Sequence, residues 1–178
     1  MSQQHGRGPE FDAETVGPGA TDPTLPERIR HVVQGEPYAV LSTQGDGQPY
    51  ASIVAFSMTE DFRTAVFATP IATRKYRLLT GCDRVALLID NRCKHPDNMM
   101  RIEAITATGR AIPVERDGSF DRWSRVLLAK HPHLAGFVVS PSVALFRIEI
   151  LRFFHVERFQ EVHEWRPGMK DGSSRSPT

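Results

Sequence analysis

The chain has 178 residues, 22 basic against 21 acidic, a net charge of +1 and 40% hydrophobic residues. That length suits one domain with a real core, and the charge balance argues against bulk electrostatic binding of nucleic acid. No apolar run reaches membrane-spanning length, no apolar leader marks a secretory signal, and two cysteines, Cys82 and Cys93, make no disulfide scaffold. The expectation is a cytoplasmic protein with neither nucleic-acid nor membrane partners.

Residues 1–24 carry Gly, Pro, Gln and acids with almost no apolar side chains, and residues 167–178 are similar. Neither can bury enough surface to offset chain entropy, so both are predicted to be disordered tails around a folded domain at 25–166. Within it, Ile29, Val32 and Val33 have helical spacing, and Gly35 and Pro37 stop the helix. Residues 38–43 read as a strand, Gly45-Asp46-Gly47 as a hairpin turn, and 50–57 as the return strand. A third strand at 64–69 runs into a short helix at 73–80, closed by Gly81.

The apolar run at 85–90 predicts a strand buried on both faces. Residues 91–99 are polar and irregular, and 102–112 form a long strand in which Gly109 marks a bend or bulge. Phe120, Trp123, Val126 and Leu127 stripe a helix that ends near His131-Pro132. A last long strand spans 143–156, bent around Leu151. Six strands joined mostly by hairpins predict a mainly β protein with peripheral helices, an antiparallel barrel or closed sheet.

The richest chemistry lies where the third strand hands over to its helix. Arg74, Lys75 and Arg77 crowd a helix mouth beside Thr69 and Thr73. Free backbone amides and the positive dipole end favour an anion there. A forked guanidinium and a point-charge ammonium suit a phosphate monoester. The bland reading is a solvated helix face. The strand before the cations favours the phosphate of a cofactor.

Other motifs carry less. Cys93, His95 and Asp97 lack the spacing of a closed zinc site, so no metal site is predicted. His131-Pro132-His133 reads as a helix stop. Asp90-Asn91-Arg92 is either a turn at a strand end or a ligand contact. Ser52 alone reads as an outward polar residue in a half-buried strand, and Tyr50 and Trp165 are candidates to stack on a flat ring.

In order along 27–160, several pieces resemble the pyridoxamine 5′-phosphate oxidase-like family, the FMN-binding split β-barrels, and in particular their flavin-nucleotide-binding branch. They are residues 39–43 with the Gly-rich hairpin, 48–54, 67–69 with 73–79, 84–90, 107–111 and 145–148. The resemblance implies a six-stranded antiparallel split barrel and a homodimer with two FMN sites at the subunit interface. It further implies that Thr73, Arg74 and Lys75 grip the FMN phosphate, and that Ser52, Ile53 and Val54 line the isoalloxazine. Ala68 and Thr69 would sit beside the ribityl chain and ring, with Asn91 and Arg92 near the flavin.

The C-terminal stretch Arg152-Phe153-Phe154-His155 lacks the substrate-binding arginine and histidine pattern of the pyridoxamine phosphate oxidases proper. The expected activity is therefore hydride exchange between FMN and another small-molecule substrate. The alternatives are a non-catalytic flavin-binding or storage module, and a haem-binding split barrel with His155 or His163 as axial ligand.

Overall fold

The computed structural model describes residues 25–158 and 161–168. The predicted tails lie outside the described residues, apart from Pro167 and Gly168, which form a turn. These residues form seven strands: β1 (Tyr38–Gly45), β2 (Gln48–Met58), β3 (Thr64–Pro70), β4 (Arg84–Asp90), β5 (Ala104–Val114), β6 (Val143–Glu157) and β7 (Glu161–Trp165). They pair antiparallel in the order β3-β2-β1-β4-β5-β6-β7, and an additional β3–β6 pairing closes β1 to β6 into a barrel. This is the six-stranded antiparallel split β-barrel expected, with β7 added on the free edge of β6.

The strand patterns follow from which face meets the core. In β1, Ala39, Leu41 and Thr43 are buried while Val40 and Ser42 are half-buried, the period of two of a one-sided strand. The β1–β2 turn needs positive φ at both central residues, and Asp46 (52°) and Gly47 (76°) supply it. The strand predicted at 85–90 differs from expectation: Val85, Leu87 and Ile89 are buried, but Ala86 and Leu88 are only half-buried. Within one chain, only the inner face of an antiparallel barrel strand meets the core.

The bend predicted in the two long strands is one device. Gly109 pairs with Ile150 and Thr108 with Arg152, leaving Leu151 as the extra residue of a bulge. The buried face of β6 therefore moves from Ile148 and Ile150 to Phe153 and His155. Gly109 permits the close crossing, since a Cβ there would lie 2.3 Å from the Glu149 carbonyl oxygen and 2.8 Å from Ile148 Cγ2. Gly109→Ala should destabilise the fold by about 1–3 kcal/mol through overpacking. A urea midpoint unchanged from the parent chain would refute that.

Among the described residues, four α-helices surround the barrel. From α1 (Leu25–Gly35), Leu25, Ile29, Val32 and Val33 join the barrel core. Outside the barrel, α3 (Phe120–Lys130) and α4 (Ala135–Val139) bury Leu127 and Val138 against Val66 and Leu145 of β3 and β6. Lys130 ties α3 to the end of α1 by donating to the carbonyls of Val33 (3.0 Å) and Glu36 (2.6 Å). Burial lowers its ammonium to about 8, against the opposing pull of Glu36. The fourth helix, α2 (Arg74–Gly81), follows β3 and carries the candidate site. Among the described residues, no helix is long and apolar enough to cross a membrane.

Candidate functional site

Thr73 decides where α2 begins. Its backbone is extended (φ −86°, ψ 154°), the non-helical conformation of an N-cap, and its Oγ1 accepts from the Tyr76 amide at 3.3 Å. The same hydroxyl donates to the Pro70 carbonyl at 2.8 Å and lies 3.2 Å from Thr69 Oγ1. Thr69 is itself buried, so the β3–α2 corner is fixed by two linked hydroxyls. In any α-helix the first amides lack a carbonyl partner within the helix, which here leaves those of Arg74 and Lys75 for another acceptor.

The helix is held from beneath by Tyr76 and Leu79. Tyr76 packs edge-on to the buried Phe146 ring at 6.0 Å, and Phe146 stacks on Phe67 at 5.4 Å. With that face pinned, residues 74 and 75 are turned toward β2. The Arg74 guanidinium lies 5.1 Å from the centre of the Tyr50 ring, and Lys75 Nζ donates to the Ile53 carbonyl at 2.9 Å. Burial holds the Lys75 ammonium below the ordinary lysine value. A partly desolvated cation with one neutral partner gains from a neighbouring anion. Arg77 stays exposed on the next turn.

The residues singled out in sequence divide into three groups. Ser52, Ile53, Thr69, Thr73, Arg74 and Lys75 gather around the start of α2 and the middle of β2. Ser52 Oγ is buried without a hydrogen-bond partner, an orphaned polar atom beside this corner. Ile53 is 71% exposed, an unusual state for an isoleucine in a strand.

Val54 and Ala68 form the second group. The Val54 side chain points into the barrel core, so only its backbone faces outward. Ala68 packs against the cluster beneath α3 and α4.

Asn91 and Arg92 form the third. Ile53 pairs with Val40 and Val40 with Leu88, so β4 ends two strand spacings, about 10 Å, sideways from Ile53. There the Asn91 amide accepts from the Glu103 N–H at 2.8 Å, and Arg92 pairs with Asp90 at 2.8 Å. Within one chain these two are apart from the helix mouth.

Sequence alone offers Tyr50, which lies beneath Arg74, only as a stacking partner for a ring. Nothing in strand alternation says that a cation will cover it. A separate hollow of about 690 Å³ opens at the far end of α2, beside Gln44, Cys82, Arg84 and Phe146. It lies about one helix length, roughly 12 Å, from the cations and does not include them.

Of the two histidines considered as axial ligands, only His155 faces the core, and His163 is half-buried. His155 is fully buried, with Nε2 2.9 Å from Glu103 Oε2, and His163 Nε2 lies 3.7 Å from Glu157 Oε1.

A closed antiparallel barrel with a cation-bearing helix springing from its third strand defines the split-barrel class. The chain belongs to the pyridoxamine 5′-phosphate oxidase family, whose profile matches residues 25–157. No curated protein matches it.

Among solved structures it is similar to a haem-binding protein from Mycobacterium smegmatis, at 15% identity and TM-score 0.70, covering 79% of this chain and 57% of that one. It is similar to a FAD-binding protein from Mesorhizobium loti, at 15% identity and TM-score 0.59, covering 72% and 91%. A third similar structure is General Stress Protein 26 from Bacillus anthracis, at 20% identity and TM-score 0.55, covering 80% and 98%. The chain thus spans little more than half of the haem-binding protein, and at these identities the likeness is one of fold.

Proposed function

We propose that the protein is an FMN-binding oxidoreductase that exchanges a hydride between FMN and a small substrate at the interface of a homodimer. The observation that carries the reading is the corner at the start of α2, where Arg74, Lys75 and the first helix amides, which have no acceptor within the helix, converge beside the outward backbone of β2. Thr73, Arg74 and Lys75 would hold the phosphate. Ser52, whose hydroxyl lacks a partner, and the backbone of Ile53 and Val54 would line the ring, with Ala68 and Thr69 contributing the strand end beside them. When bound, FMN would supply the hydride chemistry, while the protein would supply orientation, positive charge and exclusion of water.

Dimerisation is part of the same reading. Tyr38 and Ile53 are 54% and 71% exposed on the outer sheet face, next to half-buried Val40 and Leu88. A second copy laid on this face would cover that apolar surface. It would also bring Asn91 and Arg92 of the partner subunit toward the ring. The family and a FAD-binding neighbour support a flavin. A haem-binding neighbour supports the alternative, but the burial of His155 and its bond to Glu103 weigh against it as an axial ligand.

The purified protein should be yellow and release about one FMN per chain on denaturation, identified by mass. A colourless protein that takes up no added FMN would remove the proposal. Tight FMN with no turnover, whatever reductant or acceptor is offered, would favour the storage reading.

A further inference from the structure

The β6–β7 ribbon carries an arrangement that the flavin reading does not use. His155 and Glu157 on β6 are two residues apart, as are Glu161 and His163 on β7, so each pair points to one face of its strand. The register sets His155 directly opposite His163 and Glu157 directly opposite Glu161. A His-x-Glu thus faces a Glu-x-His, and all four side chains share one face. Glu103, just before β5, joins them from the next strand over.

The ligand-capable atoms of Glu157, Glu161 and His163 all lie within 4.8 Å of one another, as do those of Glu103, His155 and Glu157. Glu157 belongs to both groups.

Two carboxylates directly opposite each other repel, and a third stands beside them. Among the described residues two cations pair with these three acids, Arg28 with Glu157 at 2.5 Å and Arg158 with Glu161 at 3.5 Å. The backing is rigid. Asn91 accepts from the Glu103 N–H, and the Asn91 N–H donates to the Glu103 carbonyl at 3.2 Å, so Glu103 is clamped at both backbone groups. Its carboxylate holds the fully buried His155 at 2.9 Å.

We propose that Glu157, Glu161 and His163 bind one divalent transition-metal ion of the zinc class, with the Glu103–His155 pair positioning Glu157 from the buried side. One imidazole and two carboxylates suit such an ion better than Mg²⁺ or Ca²⁺, which prefer oxygen alone. Among the described residues β7 pairs with β6 alone, and the ion clips it to the barrel. It replaces the repulsion between Glu157 and Glu161 by two metal–oxygen bonds. Solvent completes the coordination, since Glu161 is exposed and His163 half-buried.

The test uses the full, untagged chain stripped with chelator and titrated with Zn²⁺ by calorimetry, then with Co²⁺ as a spectroscopic probe. The expected result is about one Zn²⁺ per chain, visible Co²⁺ bands, and a rise in melting temperature with Zn²⁺. His163→Ala and Glu161→Gln should each weaken Zn²⁺ about tenfold or more and abolish the Co²⁺ bands. Both residues are on the accessible side, so equal melting of the metal-free variants will show that they fold. His31→Ala, on the exposed face of α1, should leave binding unchanged. Absence of Zn²⁺ binding, affinity unmoved by both ribbon variants, or a preference for Mg²⁺ or Ca²⁺ would overturn the assignment.

Discussion

Arg74→Ala combined with Lys75→Ala is expected to weaken FMN binding by a hundredfold or more while leaving the fold intact. Each charge-assisted contact to a phosphate is worth about 1.5–3 kcal/mol, so two lost contacts cost about 3–6 kcal/mol, or two to four orders of magnitude. Stability should change little. Arg74 is exposed above Tyr50, and Lys75 gives up one bond to the Ile53 carbonyl.

A pH profile separates the two cations. Burial lowers the Lys75 pKa, so its ammonium discharges at a lower pH than an ordinary lysine's. Only the charged form attracts phosphate, so affinity should fall as pH rises through that lowered value. The guanidinium of Arg74 stays charged throughout. In Lys75→Met the alkaline fall should vanish, leaving a flat, weaker affinity. Fluorescence titration of FMN into each variant measures both effects. Full affinity in the double variant would place the phosphate elsewhere.

The barrel was legible because its signals are local. The hairpin at Gly45–Gly47 and the stripe of α3 each rest on residues close in sequence, and the bulge left one mark in each of its two strands, Gly109 and Leu151. The strand β7 was not foreseen. Its five residues include two Glu and a His, and what holds them is remote: Trp165 stacks on Phe153 at 5.3 Å and lies 6.3 Å from Phe62. A short polar strand has no period of its own to read.

The candidate site was legible to the same degree. The cations and the helix mouth could be read from the run at 69–77. That Lys75 reaches back 22 residues to Ile53 depends on how α2 folds across β2. The ribbon of histidines and glutamates was missed for a related reason. His155-x-Glu157 and Glu161-x-His163 become one cluster only through antiparallel pairing of β6 with a strand that was not predicted.

Phe146→Ala is expected to be the most damaging single change, and damaging in two separable ways. Phe146 is buried to 1% exposure and sits directly opposite Phe67 across the β3–β6 pairing that closes the barrel. Their rings are within 9° of parallel, and the Tyr76 ring of α2 abuts Phe146 at 69°. Truncation at such a position costs about 3–5 kcal/mol from lost burial and the cavity left behind. For a chain of this size that lowers the melting temperature by about 10 °C or more.

The second effect concerns the site. Tyr76 precedes Arg77 and follows Lys75, so the ring beneath it sets where the cations stand. FMN should therefore bind more weakly to Phe146→Ala even at temperatures where the variant is fully folded. Phe153→Ala supplies the comparison. Phe153 is equally buried but packs on Phe62 and Trp165, with no ring contact to α2. It should lose similar stability and keep its FMN affinity. Equal loss of affinity in both variants would mean that general loosening of the barrel, rather than support of α2, controls the site.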